Sequence, residues 1–293
     1  MGKNIREALQ EAASFLQRRD IEGPRVEAEL LLAFLLGVNR PYLYAHSDAE
    51  LSPDQLERFS ELCRRRGDGE PLAYIRGEKE FMGLPFYVEA GVFIPRPETE
   101  HLVEGVLQWA REYAGSAGTE ERLNLLDLGT GSGCIAVSLA LNLPSALLVA
   151  VDCDMKALAL ARRNSRRHGV ETRISFLQGQ FFKALAARKG GKKRFNVIVS
   201  NPPYIEEGIL PGLPREVQQE PRRALCGGMD GLEAYREILR GAGEYLLSPG
   251  LLALELGAGQ AAEVTAMARR AGFTAPLVLR DYAGIERVLL LHS

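Results

Sequence analysis

A chain of 293 residues that is 46% hydrophobic and 25% charged can bury a sizeable core, and its length suggests two domains. Its 38 acidic and 36 basic residues leave a net charge of −2 and a pI near 6.2, which removes any global electrostatic case for a nucleic-acid substrate. Cys63, Cys134, Cys153 and Cys226 form no C-x-x-C pair, no apolar stretch reaches the roughly 18 residues of a membrane span, and the first seven residues lack a signal peptide's apolar core. Buried thiols rather than a zinc site, no membrane and a cytoplasmic location are therefore expected.

Residues 4–75 carry helical periodicity. Ile5, Ala8, Leu9, Ala12, Phe15 and Leu16 share one face of a first helix. Pro24 opens a second, through Val26, Leu30, Leu31, Phe34 and Leu35, and Gly37 ends it. Ser52 as N-cap and Pro53 start a third, through Leu56, Phe59, Leu62 and Cys63. This predicts a small helical bundle over residues 1–76. Residues 79–94 read as a hairpin about Gly83-Leu84-Pro85, inside a connection spanning 77–95. Pro95-Arg96-Pro97-Glu98 reads as a helix start, with Glu98 and Glu100 at the positive end of the macrodipole.

From Leu123 onward strand and helix alternate. Strands are expected at 123–128, 146–151, 173–177, 195–200 and 250–256, with two more near 274–279 and 285–291. Helices are expected at 133–142, 154–168, 230–246 and 259–271. Such alternation argues for an α/β domain over 96–293, built on a mainly parallel sheet covered on both faces. The stretch 111–122 reads as a surface connection and the basic run 188–194 as a solvated loop.

Two strand ends carry the chemistry. Leu125–Leu128 runs into Gly129-Thr130-Gly131-Ser132-Gly133 and then a helix-like segment from Cys134. Glycines there let the backbone turn sharply and approach a ligand, and a helix start offers free N–H groups. Asp152 ends the next apolar run, 19 residues after Gly133, where a carboxylate can accept the ribose hydroxyls of an adenosine-type cofactor. Gly131, Gly133 and Ala136 also satisfy G-x-G-x-x-A, so this motif alone does not separate NAD from S-adenosylmethionine.

Asn201-Pro202-Pro203-Tyr204 follows the apolar run from Phe195, at the sheet edge where open α/β sheets bind ligands. The prolines stiffen the loop and bring no N–H. The Asn201 side chain, the Pro202 carbonyl and the Tyr204 ring then form a grip for a planar amide or amino group. An ordinary Pro-rich turn is the plain alternative.

Taken together, these motifs resemble those of class I S-adenosylmethionine-dependent methyltransferases, in the branch that methylates exocyclic amines or side-chain amides. Gly91–Glu100, Glu220–Leu225, Gly227–Leu232, Pro24–Leu32 and Gly69–Ile75 narrow the resemblance to the bacterial release factor glutamine methyltransferases. It covers nearly the whole chain. It implies a Rossmann-like sheet of seven strands, the last antiparallel, with S-adenosylmethionine as donor and S-adenosylhomocysteine as product. The implied partner is a class I peptide-chain release factor, methylated on the glutamine amide of its Gly-Gly-Gln motif and docked in part by the helical domain. No direct nucleic-acid partner and a monomer are expected.

By the same resemblance, Gly129, Thr130, Gly131, Ser132, Gly133, Asp152, Phe181 and Asn201 hold the cofactor. Phe93, Asn201, Pro202, Pro203 and Tyr204 contact the substrate, with Asn201 and Pro202 carrying the catalysis. Gln180 and Cys226 stand where the family commonly has acidic residues; the first departure puts in doubt a carboxylate hydrogen bond near the cofactor's adenine, and the second bears only on local loop structure. An adenine or cytosine amino-methyltransferase acting on DNA or RNA shares the Asn-Pro-Pro-Tyr grip and is the alternative, though it needs a basic cleft or a recognition domain, which neither the pI nor the acidic helical N-terminal segment provides. A non-catalytic binding protein is disfavoured by the intact motifs.

The chemistry also stands alone. An amide nitrogen is a poor nucleophile, so it must be held in line with the methyl at about 3–3.5 Å. Asn201 Oδ1 and the Pro202 carbonyl can each accept one amide N–H and stabilise positive charge developing on nitrogen. No residue here is a designated base. His46, His101, His168 and His292 show no metal or triad spacing, and a surface ion-pair network is expected for Glu220, Arg222 and Arg223.

Overall fold

The computed structural model describes residues 2–117, 122–186 and 194–293; of the basic run 188–194, all but Arg194 lie outside the described residues, as does part of the connection 111–122. The chain forms two compact units, Met1–Glu78 with Pro214–Gln219, and Lys79–Leu213 with Glu220–Ser293.

The first unit is helical. A two-residue antiparallel pair, β1 (Lys3–Asn4) and β2 (Glu50–Leu51), accompanies α1 (Ile5–Gln17), α2 (Pro24–Leu36), α3 (Arg40–Ala45), α4 (Pro53–Gly67) and α5 (Leu72–Arg76). Asn4 with Glu7, and Ser52 with Gln55, close capping boxes that satisfy first-turn N–H groups of α1 and α4. Leu16, Leu31, Leu32, Leu43 and Phe59 form the core. On α2 the buried face is Ala28, Leu31 and Leu32, whereas the expected Val26 and Phe34 are exposed. The helix is apolar nearly all round, so periodicity does not single out a face. What fixes it is Glu29, fully buried and holding Arg25, Arg40 and Tyr44 at 2.6–2.7 Å. Buried Arg66 bridges Glu27 at 2.8 Å and Glu216 at 2.5 Å, which ties α10 (Arg215–Gln218) into this unit.

In the second unit β3 (Glu78–Phe81) and β4 (Leu84–Tyr87) make a hairpin. It turns at Met82-Gly83, so Leu84 and Pro85 are strand, and residues 88–94 leave it as irregular chain. A short 3-10 turn over Pro97–Thr99 leads into α6 (Glu100–Ala117). Then follow β5 (Asn124–Leu128), α7 (Cys134–Asn142), β6 (Leu147–Asp152), α8 (Met155–Arg167), β7 (Ile174–Gln178), α9 (Lys183–Ala186) and β8 (Phe195–Ser200). After α11 (Arg222–Leu225) come α12 (Glu233–Tyr245), β9 (Leu246–Glu255), α13 (Ala261–Arg270), β10 (Thr274–Arg280) and β11 (Glu286–His292).

Seven strands form one sheet in the order β10-β11-β9-β8-β5-β6-β7, and β11, last in the chain, runs antiparallel to both neighbours. The period of two along the strands splits the core. Leu125, Val197 and Leu251 point to the face covered by α6 and α7, while Leu126, Ile198 and Leu252 point to the face covered by α12 and α13. This is the seven-stranded, mainly parallel α/β sheet the alternation predicts. The chain winds outward from β5 in one direction through β6 and β7, then returns to β8 on the other side. The reversal leaves a crevice at the carboxyl ends of β5 and β8, where such sheets bind ligands.

Candidate active site

Leu128 pairs with Ser200 in adjacent parallel strands, so the glycine loop and Asn201 leave the sheet side by side. The buried Ser200 hydroxyl donates to Leu128 O at 2.7 Å and fastens the two ends together. Over them lies a cavity of about 470 Å³, within the range of small-ligand sites.

Its floor is the glycine loop. Gly129 and Thr130 donate their N–H groups to Val151 O at 2.8 and 2.9 Å, and Gly131 donates to Asp152 Oδ2 at 2.9 Å. Gly131 (φ 55°) has open space where a Cβ would stand, so backbone faces the cavity there. Gly133 (φ 82°) starts α7, and a Cβ on it would lie 2.9 Å from that of Ala161 on α8. Fully buried Asn164 clamps the loop from behind: its Nδ2 donates to Ser132 O at 2.8 Å and Tyr87 O at 3.0 Å, and its Oδ1 accepts from Tyr87 N at 2.8 Å. Asp127 is fully buried and accepts from the Thr130 hydroxyl at 2.7 Å; burial pushes its pKa up to about 7.

Asp152 lines the next wall. Each of its oxygens accepts one backbone N–H at 2.9 Å, from Gly131 and Asp154, and burial raises its pKa. Phe181 also lines the cavity, with φ at 43°, a backbone region that costs a bulky residue strain and tends to persist at functional sites. Gln180 Nε2 donates to Glu237 Oε2 at 2.8 Å, and both face the cavity, so α12 returns a carboxylate beside the position where the acidic residue is missing.

At the end of β8, Asn201 Nδ2 donates to the Thr99 hydroxyl at 3.1 Å, which leaves Oδ1 uncommitted among the described residues. Pro203 and Tyr204 line the cavity with Asn201, but Pro202 is buried behind the wall, so only its carbonyl can serve a ligand. The loop is braced by backbone. A Cβ on Gly227 would stand 2.8 Å from Tyr204 Cα, one on Gly231 would stand 2.4 Å from Tyr204 O, and Gln260 Nε2 donates to that carbonyl at 3.0 Å. Cys226 pairs with Ile205 through main chain, which holds this side of the loop, and it also lines the cavity.

The Tyr204 hydroxyl makes a long 3.4 Å hydrogen bond to Glu255 Oε1 at the end of β9. Glu255 is 1% exposed. Burial pushes it up to about 7; the Thr99 hydroxyl, Arg287 and Tyr204 favour its charged form, and Glu98 opposes it. Burial also raises the Tyr204 phenol, with Glu255 adding to the effect, so Tyr204 stays neutral.

Phe93 lines the cavity with the Arg96 guanidinium 5.0 Å from its ring centre. Arg96 pairs with Glu220, whose other oxygen accepts Ile94 N at 3.0 Å. Glu220 is therefore not part of a surface network. It is 5% exposed, and two donors offset the desolvation of its charge. Arg222 and Arg223 are the surface members, pairing with Glu207 and Asp154.

Every expected site residue except Gly133 and Pro202 lines this one cavity. Sequence reasoning missed Asn164 and Glu255 and placed Glu220 on the surface. Glu255 carries the signal that marked Asp152, an acid closing an apolar strand, and that signal went unused.

A model of the PrmC N-terminal domain matches residues 7–77, and one of the methyltransferase small domain matches 116–211. Release factor glutamine methyltransferase from Moorella thermoacetica is 43% identical over 98% of this chain and 98% of its own. The one from Geobacter sulfurreducens is 44% identical over 97% and 95%. Among solved structures, the hMettl16 catalytic domain in complex with MAT2A 3′UTR hairpin 6 aligns at TM-score 0.56 with 15% identity, over 89% of this chain and 92% of that one, a likeness of fold alone. No described helix is long and apolar enough to cross a membrane.

Proposed function

The chain belongs to the release factor glutamine methyltransferase family and is a methyltransferase, and from that premise we propose that it methylates the side-chain amide nitrogen of the glutamine in the Gly-Gly-Gln motif of class I peptide-chain release factors, with S-adenosylmethionine as donor. The observation that carries this reading is Asn201, held by Thr99 through Nδ2 with its carbonyl oxygen uncommitted in a ligand-sized cavity. When bound, S-adenosylmethionine supplies an electrophilic methyl on a sulfonium centre. The residues present fit it. Main chain of Gly129, Thr130, Gly131, Ser132 and Gly133 gives it a close approach. Asp152 spends one lone-pair site per oxygen on backbone and keeps acceptor capacity for two ribose hydroxyls. Phe181 offers an apolar face to adenine, with Gln180 and Glu237 at its polar edge.

Asn201 Oδ1 and the Pro202 carbonyl take the two hydrogens of the substrate amide and orient its nitrogen. Neutral Tyr204 and Phe93 pack on the flat amide. Its proton leaves to water after transfer, because a methylated cationic amide is strongly acidic. The helical unit docks the factor; it exposes Phe34, Tyr42 and Tyr44, and Tyr44 shares Glu29 with Arg25 and Arg40, an aromatic and arginine mixture typical of interface anchors.

The test uses labelled S-adenosylmethionine with a class I release factor, its Gly-Gly-Gln→Gly-Gly-Ala variant, and duplex DNA and RNA controls. Label only in the wild-type factor supports the proposal. Label in nucleic acid, or equally in the Ala variant, overturns the substrate.

A further inference from the structure

Asn201 can accept a substrate N–H only if its amide is turned with Oδ1 outward, and nothing in an isolated Asn prefers that orientation over its flip. The preference must come from what lies behind. Thr99, 2% exposed, accepts from Asn201 Nδ2, so its own proton must point elsewhere. The Thr99 hydroxyl also favours the charged form of the Glu255 carboxyl, whose Oε1 takes the long Tyr204 bond and whose buried Oε2 has no hydrogen-bond partner among the described residues. An ionised carboxylate only accepts. We propose that Glu255 is a positioning residue: its carboxylate draws the Thr99 proton, which leaves Thr99 solely an acceptor and fixes Asn201 with Nδ2 inward and Oδ1 towards the cavity.

This rests on Asn201 being the acceptor for the substrate amide. It also predicts selectivity. With Oδ1 outward the site admits an N–H donor and opposes a carboxylate oxygen, so a glutamine side chain is accepted where an isosteric glutamate is refused. When Glu255 is protonated it can donate to Thr99, the Thr99 proton is freed to turn to Asn201, and the amide can flip.

The groups facing Glu255 are the Tyr204 and Thr99 hydroxyls, Arg287 on β11 and Glu98 ahead of α6. The Tyr235 hydroxyl on α12 donates to its backbone oxygen at 3.0 Å, and the Cys134 thiol of α7 feels its charge. Arg287 is itself engaged by Asp281 at 3.0 Å.

The test follows the Asn201 side-chain amide by ¹⁵N NMR on the full chain, assigned through Asn201→Asp, alongside release factor methylation. In the wild type the amide signal and kcat should both titrate with a midpoint near 7, and Glu255→Gln should abolish that titration. Thr99→Val should lower kcat by about 100-fold, the scale of a small misplacement of a reacting group, with cofactor affinity kept, and Thr99→Ser should restore it. A Glu255→Gln protein whose Asn201 amide signal and kcat match the wild type across about pH 5.5 to 8.5 sinks the proposal, as does full kcat in Thr99→Val. If the wild type methylates no release factor, the function assigned above fails, while the NMR titration still decides the placement of Asn201.

Discussion

Asn164 makes the sharpest test of how the glycine loop is held. Asn164→Asp keeps the size and the acceptor for Tyr87 N but removes both donated bonds, and sets a carboxylate against Ser132 O and Tyr87 O. The bond to Ser132 is buried and those to Tyr87 partly so. Leaving one carbonyl unpaired in the interior and one half-wet costs about 2–4 kcal/mol, before the burial of a new charge. Against a total of roughly 5–15 kcal/mol, that is a large share.

The new carboxyl has no donor but Tyr87 N, so its folded pKa lies above its unfolded one. Its contribution is therefore intact below the unfolded pKa and lost as pH rises through the folded pKa. Urea unfolding at pH 5 and pH 8, followed through the single tryptophan, Trp109 on α6 of the same unit, reads the difference from wild type directly. The deficit should be larger at pH 8. Asn164→Leu should lose a similar 2–4 kcal/mol at both pH values, since it adds no titrating group. An Asn164→Asp protein as stable as wild type at pH 8, or one equally weakened at both, would refute this account of the clamp.

Asn201→Ala should reduce methyl transfer by about 100- to 1000-fold while S-adenosylhomocysteine affinity by calorimetry stays within a few-fold; lost affinity instead would make holding the cofactor, not the substrate amide, its main role. Gly133→Ala combines a left-handed φ with a 2.9 Å approach to Ala161, so denaturant unfolding should show a loss of about 2–4 kcal/mol with weakened cofactor binding. Glu255 has a folded pKa near 7 against an ordinary 4.5, so the wild type is most favoured below 4.5 and loses that stability as pH climbs through 7. Glu255→Gln should accordingly gain melting temperature relative to wild type between pH 5 and 8, and no relative gain would mean the acid is not buried as described.

Much of the fold is legible because local and global signals agree. Ser52 announces a helix that forms, and the apolar runs ending in Gly129, Asp152 and Asn201 become the adjacent strand ends of one crevice. Where the reading slipped, sequence held too much or too little contrast. The leucine-rich α2 has no polar face, so its orientation is set by Glu29 and its three partners, a choice made by tertiary contacts. Met82-Gly83 rather than Leu84-Pro85 forms the hairpin turn because glycine takes the positive φ and proline is tolerated in an edge strand. Glu220 looked solvent-bound because its donors, Ile94 N and Arg96, lie more than a hundred residues away in sequence.

The same separation explains why the grip was legible and its orientation was not. Asn201-Pro202-Pro203-Tyr204 is contiguous, so its chemistry can be read from one strand end. The direction in which Asn201 points depends on Thr99 before α6 and on Glu255 at the end of β9, three segments joined only by the folded sheet. A buried acid close to neutrality is costly in the native state, and replacing it with an apolar residue would stabilise the fold. On the function proposed above, it would also set which atom of Asn201 meets the substrate. An apolar residue at 255 would leave Thr99 free to donate, Asn201 free to turn, and the cavity unable to tell an amide from a carboxylate.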